Sequence, residues 1–136
     1  MKVFVDTNIL VSAILFPKSK VADSFSIILK EHSLVICQYS IEELSEVFRK
    51  KFPEKCESLN TFLSKLTYEL VSIPKNIDYS KYPNIRDKND LPIIVSAILS
   101  KSDILLTGDK DFEDIKIEKP IIMKPVDFLI QFKKVR

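Results

Sequence analysis

Two apolar runs in this chain end on acids. VFVDTN (3–8) closes on Asp6, and ILLTGDKDF (104–112) closes on Thr107, Asp109 and Asp111. Between them lie SIEE, which carries Glu43, and RDKND, in which Asp87 and Asp90 flank Asn89. Each acid has an ordinary explanation when taken alone. Helix N-termini attract carboxylates through capping and through the helix dipole. Ser40 and Glu43 stand three apart, as in a capping box, and Asp109 and Asp111 suit a turn. Together the acids ask for more, because four separated segments each deliver one to a strand end or to the helix start beside it. Clustered carboxylates repel and raise each other's pKa unless a cation neutralises them. One histidine, His32, and two cysteines, Cys37 and Cys56, without metal spacing leave oxygen as the ligand chemistry. Oxygen donors suit Mg²⁺ or Mn²⁺ rather than zinc. Such an ion activates water and braces the leaving oxygen in phosphodiester cleavage, and two ions about 4 Å apart do both. Arg86 and Lys88, beside the acids, read either as groups that steer phosphate or as solvated loop charges. Asp23, Asp103, Asp114 and Asp127 read as surface or capping residues.

The elements that must position these acids follow from patterning. Residues 2–6 predict a short buried strand, and TNILVSAILF a helix capped by Asp6 or Thr7 and stopped by Pro17. Ser19 opens a helix through about Lys30. LVICQ (34–38) is a second strand. Ser40 is expected to cap a third helix, IEELSEVFRKK, and Pro53 to open a fourth through about Glu69. LVSI (70–73) predicts a third strand, followed by a polar loop with Pro74 and Pro83. DLPIIVSAILSK (90–101) is almost wholly apolar; Pro92 in its first turn and the alternation of elements make it a helix. DILLT (103–107) and PIIM (120–123) are strands, and VDFLIQFKK (126–134) is a last helix. Strands that are continuous apolar runs separated by helices predict a parallel sheet covered on both faces. Sites in such sheets form beyond the carboxyl ends of the strands, where strand order reverses. If the first and fourth strands are neighbours there, Asp6 and Asp109 face each other.

The totals agree with one domain over residues 1–136. Net charge is +2 and hydrophobic residues are 46%, so the sum neither demands nor excludes a nucleic-acid partner. No signal peptide fits, because Asp6 interrupts the N-terminal apolar run, and no run approaches the ~20 residues of a membrane span. Unpaired thiols fit a reducing compartment; a cytoplasmic protein without membrane attachment is expected. His32, in KEHS, is expected to be solvated, and its solitude speaks against a Ser-His-Asp hydrolase. The one glycine, Gly108, rules out a P-loop or a dinucleotide fingerprint.

At VFVDTNILVSAI, SIEELSEVF, RDKNDLPIIVSAI, LLTGDKDF and the closing IIMKPVDFL the chain resembles the PIN-domain family, a class that includes Mg²⁺-dependent ribonuclease toxins of bacterial toxin–antitoxin pairs. The resemblance spans essentially residues 2–132. It implies a three-layer α/β/α sandwich with a central, mostly parallel sheet of about five strands and an acidic metal pocket. It places catalytic acids at Asp6, Glu43, Asp90 and Asp109, with Glu43 rather than Glu42 in the family's Glu-Leu position. Asp87 and Asp111 match further acidic positions, and Thr7, Asn8 and Thr107 match small polar positions that would hold carboxylates or waters. An RNA substrate, an antitoxin partner and a homodimer follow as expectations, as does Mg²⁺ or Mn²⁺. Competing readings are a PIN-like module that binds RNA or protein without cleaving it, and phosphotransfer on an aspartate, against which VDTN lacks the second acid of the phosphatase Asp-x-Asp pattern. The apolar stripes of the second and fourth helices, including Phe25, Ile28, Leu59, Phe62 and Leu66, exceed what one sheet face should need. The dimer is expected there.

Overall fold

The computed structural model describes residues 1–133. Its five strands are β1 (Lys2–Val5), β2 (Ser33–Cys37), β3 (Glu69–Val71), β4 (Ile104–Leu106) and β5 (Ile121–Met123). All pair in parallel, in the order β3-β2-β1-β4-β5. The helices are α1 (Thr7–Leu15), α2 (Lys20–Glu31), α3 (Gln38–Lys51), α4 (Cys56–Lys65), α5 (Leu91–Leu99) and α6 (Pro125–Phe132). Lys134, the end of the expected last helix, lies outside the described residues. Among the described residues no helix is long and apolar enough to cross a membrane.

The apolar runs make sense because side chains alternate across a pleated strand. Val3, Val5, Leu34, Ile36, Ile104 and Leu106 face one layer, where Leu10 of α1, Phe25 and Ile28 of α2, Leu44 and Phe48 of α3 and Phe128 of α6 close over them. Phe4, Val35, Cys37 and Leu105 face the other layer, covered by Ile93, Ile94 and Ala97 of α5 together with Phe112. A strand buried on both faces has no polar positions to alternate. From β1 the chain steps outward through β2 to β3, then crosses over to place β4 on the other side of β1. The reversal falls between β1 and β4, paired Val5 to Leu106, so the condition that brings Asp6 and Asp109 to one place is met.

Three expectations are corrected. Helix α3 begins at Gln38, directly after β2, with Cys37 at the cap position and no side-chain cap. Ser40 is therefore buried inside the helix, and Glu43 is not the partner of a capping box. Pro53 starts a single 3₁₀ turn, and the fourth helix ends at Lys65 rather than near Glu69, because Glu69 already belongs to β3. His32 is half-buried rather than solvated, edge-on to Phe132 and Phe128 at centroid distances of 5.0 and 5.8 Å. Burial lowers its pKa, with the nearby N-terminal ammonium acting the same way.

The stripes expected to form a dimer are divided between the core and the surface. Leu59 is buried, and Phe62, Leu63 and Leu66 pack against the core, with the Phe62 ring 5.7 Å from that of Phe25. Leu29 and Leu70 remain open, at 44% and 49% exposed. Phe62→Glu should therefore destabilise the monomer itself, by roughly 2 kcal/mol or more, while Leu29→Glu stays within about 0.5 kcal/mol. Urea unfolding of the two variants checks this; equal midpoints would mean that Phe62 is not part of the core margin.

Candidate active site

The site forms where β1 and β4 end. Asp6 follows β1 directly and caps α1, its Oδ1 accepting from the Ile9 amide at 3.0 Å. Its backbone N–H donates to Leu106 O at 3.2 Å, which keeps it in the sheet. Thr107, just past β4, donates its hydroxyl to Asp6 Oδ2, and the same hydroxyl oxygen accepts from the Asp109 amide at 3.1 Å. Asp109 Oδ1 in turn accepts from the Asp111 amide at 2.9 Å, opening a 3₁₀ turn over Lys110–Phe112. One threonine thus fixes an acid from each of two neighbouring strands.

The third acidic segment arrives from the long loop after β3. Asp87 Oδ1 accepts from the Asn89 amide at 2.9 Å, and its carbonyl accepts from the Asp90 amide at 2.9 Å. This tight turn leads into α5, with Asp90 in the cap position and making no side-chain cap bond. The Asp90 carboxylate is therefore free for the site. One oxygen each of Asp87, Asp90 and Asp111 lies within 4.8 Å of the others.

Glu43 comes from α3. It is half-buried whereas Glu42 is exposed, and its Oε1 accepts from Thr7 Oγ1 at 2.6 Å. Ser40 Oγ lies 3.0 Å from that threonine oxygen and 3.2 Å from Cys37 Sγ. Thr7 therefore ties the first turn of α1 to α3, where the sequence suggested a contact within α3 alone. Tyr39, which sequence reasoning missed, joins Glu43 to the other acids. Its pKa is raised by burial and by its acidic neighbours Glu43, Asp90 and Asp87. The available signal was its spacing four residues before Glu43, which puts both on one helix face.

Electrostatics bind the cluster into one unit. Burial pushes the Asp6 carboxyl up to about 6, against the hydrogen bonds from Thr107 and Ile9, and Asp109 adds to the rise. Asp90 is raised to about 7 by burial and by Asp109, Asp87 and Asp111. Asn8 is exposed at the edge; its backbone, not its side chain, serves Asp6. Lys88 is exposed beside the acids. Arg86 is committed elsewhere: its Nη2 lies 3.1 Å from Asp114 and its Nη1 4.0 Å from Asp111. A phosphate would have to compete with those carboxylates for it. Oxygen donors from separate segments, two of them holding protons too tightly for want of a counter-charge, fit a hard divalent cation.

A pH dependence follows for the metal-free protein. A carboxyl whose folded pKa exceeds its unfolded value favours folding when protonated. The contribution of Asp6 is complete below about pH 4 and is lost as pH rises through about 6. Stability in EDTA should therefore fall between pH 5 and 8. Asp6→Asn, which preserves the helix cap, should recover roughly 1–3 kcal/mol at pH 8. Urea unfolding at both pH values measures it, and an unaltered pH 8 midpoint in the variant would contradict the assignment of strain to this carboxylate.

Comparison with known proteins completes the picture. A solved structure, that of VapBC2 from Rickettsia felis bound to a DNA fragment from their promoter, superposes with a TM-score of 0.70. It is 24% identical, over 91% of this chain and 98% of that one, and at that identity the likeness speaks for the fold. No curated protein matches the sequence. The family model described as PIN domain matches residues 2–111, a span that begins at β1 and takes in every acid of the cluster. The chain belongs to the PIN-domain family.

Proposed function

We propose that the protein is a Mg²⁺- or Mn²⁺-dependent endoribonuclease, the toxin half of a toxin–antitoxin pair. The observation that carries this reading is the convergence of acids from separate segments: one oxygen each of Asp87, Asp90 and Asp111 lies within 4.8 Å of the others, and Asp109 raises both Asp6 and Asp90, the latter lifted by burial and its acidic neighbours to about 7. Membership of the PIN-domain family supports the nuclease chemistry, and the likeness to the VapBC2 complex supports a cognate antitoxin. Asp6, Asp90 and Asp109 would hold the ion, with Asp87 and Asp111 as further ligands. When bound, it would supply an activated water and charge neutralisation at the leaving oxygen.

The chain's own contribution is placement. Asp6 and Asp109 cannot separate without breaking the bonds to Thr107. Glu43, held by Thr7, either joins the ligand set or accepts a proton from the attacking water. Lys88 meets the phosphate backbone at the mouth, and Arg86 does so once released from Asp114. A reducing, cytoplasmic setting fits the free thiols of Cys37 and Cys56. The homodimer draws on apolar surface left open after folding, such as Leu29, Leu70 and Ile130.

Two experiments test the reading. Mn²⁺ at a hundredfold excess over its dissociation constant should stabilise the fold by about 2.7 kcal/mol. Thermal melts across millimolar metal that coincide would count against a metal site. Glu43→Gln keeps an acceptor for Thr7 and so should leave stability nearly unchanged, while metal-dependent cleavage of a mixed RNA pool falls roughly 100-fold or more. Wild-type binding of RNA without metal-dependent cleavage would instead indicate the non-catalytic module.

A further inference from the structure

We propose that the groove beside Asp109 is a nucleobase slot, which receives one unpaired base of the RNA strand next to the phosphodiester held at the acids. The proposal rests on the ribonuclease reading above and names how that site selects its substrate.

The groove, of about 430 Å³, lies between the segment after β4 and the start of α6, a size at the lower end of the range for small-molecule sites. Thr107 and Asp109 line it and also belong to the acid cluster, so the groove and the proposed cleavage site share a wall. Its other walls are apolar: Phe112, Ile115, Ile117, Pro120 and Ile122. Ile121, also lining it, is 53% exposed. At the rim Lys124 Nζ pairs with Glu113 Oε1 at 2.7 Å, and Asp127 stands beside them.

This lining discriminates among the parts of a nucleotide. A phosphate would meet three carboxylates, Asp109, Glu113 and Asp127, and one lysine that is already paired. It is repelled. A base offers flat apolar faces to the isoleucines, which the buried Phe112 and Pro120 back, and a polar edge to the rim. Proteins that read single-stranded RNA do so by splaying bases into such slots. Because the rim is rich in acceptors, it selects bases carrying exocyclic amino groups, adenine, cytosine and guanine, over uracil.

Titration of ¹⁵N-labelled protein with AMP, CMP, GMP and UMP in the presence of Mg²⁺ tests the slot without requiring cleavage. The expected result is amide shifts at Ile117, Ile121 and Ile122, with UMP binding at least several-fold more weakly than the best of the others. Shifts confined to the Asp6, Asp87–Asp90 and Asp109 backbone, or none, would overturn the slot. A kinetic arm uses an oligoribonucleotide with an abasic residue beside the cut. It should raise KM roughly tenfold for the wild type, in line with the worth of stacking one base. The penalty should vanish in Ile121→Trp, whose indole fills the mouth. An abasic substrate cut as well as the parent by the wild type also overturns the slot. Groove shifts in a protein that cuts no RNA would keep the nucleobase site and remove the ribonuclease reading.

Discussion

Everything at this site depends on the cost of burying carboxylates close together at the end of a parallel sheet. Asp6 is 5% exposed, and an ionised acid there is costly unless hydrogen bonds or a cation compensate. The fold supplies the Ile9 amide and the Thr107 hydroxyl, and the carboxyl still rises to about 6. What remains uncompensated is the capacity of the site to bind positive charge.

The second constraint is the way the acids are tied together. Thr107 holds Asp6 and Asp109, and Thr7 holds Glu43, so two short hydroxyl side chains couple β1, β4, α1 and α3. Neither threonine needs to touch a substrate. Each is short and β-branched, hence stiff at χ1, and each sits within two residues of the end of a buried strand, β1 or β4. The precision of the carboxylates is inherited from the sheet. The Asp87–Asp90 turn lacks such an anchor. It is carried by an exposed loop and meets the Asp109–Asp114 segment through Arg86 and through the proximity of Asp90 to Asp109.

Much was legible in the sequence. The continuous apolar runs dictated a sheet buried on both sides, the alternation of strand and helix dictated parallel pairing, and Asp6 and Asp109 at strand ends pointed to one edge. These features come from local patterning, which a linear reading captures. Elements with weaker local signals were misjudged. Ser40 looked like a helix cap because Ser, Thr, Asp and Asn at such positions usually are. The helix instead starts at Gln38 without a side-chain cap, and the serine is turned inward to Thr7. His32 looked polar and solvated because nothing near it in sequence shows that Phe128 and Phe132 return to cover it.

By itself the sequence determined the inventory: which carboxylates exist, that His32 and the two cysteines lack the spacing of a competing metal site, and that Asp6 and Asp109 follow strands. Only the tertiary structure decided which of them meet. The strand order places β4 beside β1 and so brings Asp109 to Asp6 across a separation in sequence that no motif encodes. It sends Thr7 to Glu43, sets Tyr39 between Glu43 and the Asp87–Asp90 turn, and commits Arg86 to Asp111 and Asp114. It also packs part of the Phe62 stripe against the core and leaves Leu29 and Leu70 open. The physical reason is common to all of these. Hydrogen bonds and charge repulsion act over a few ångströms of space, whereas a sequence specifies neighbours along the chain, and packing joins the two.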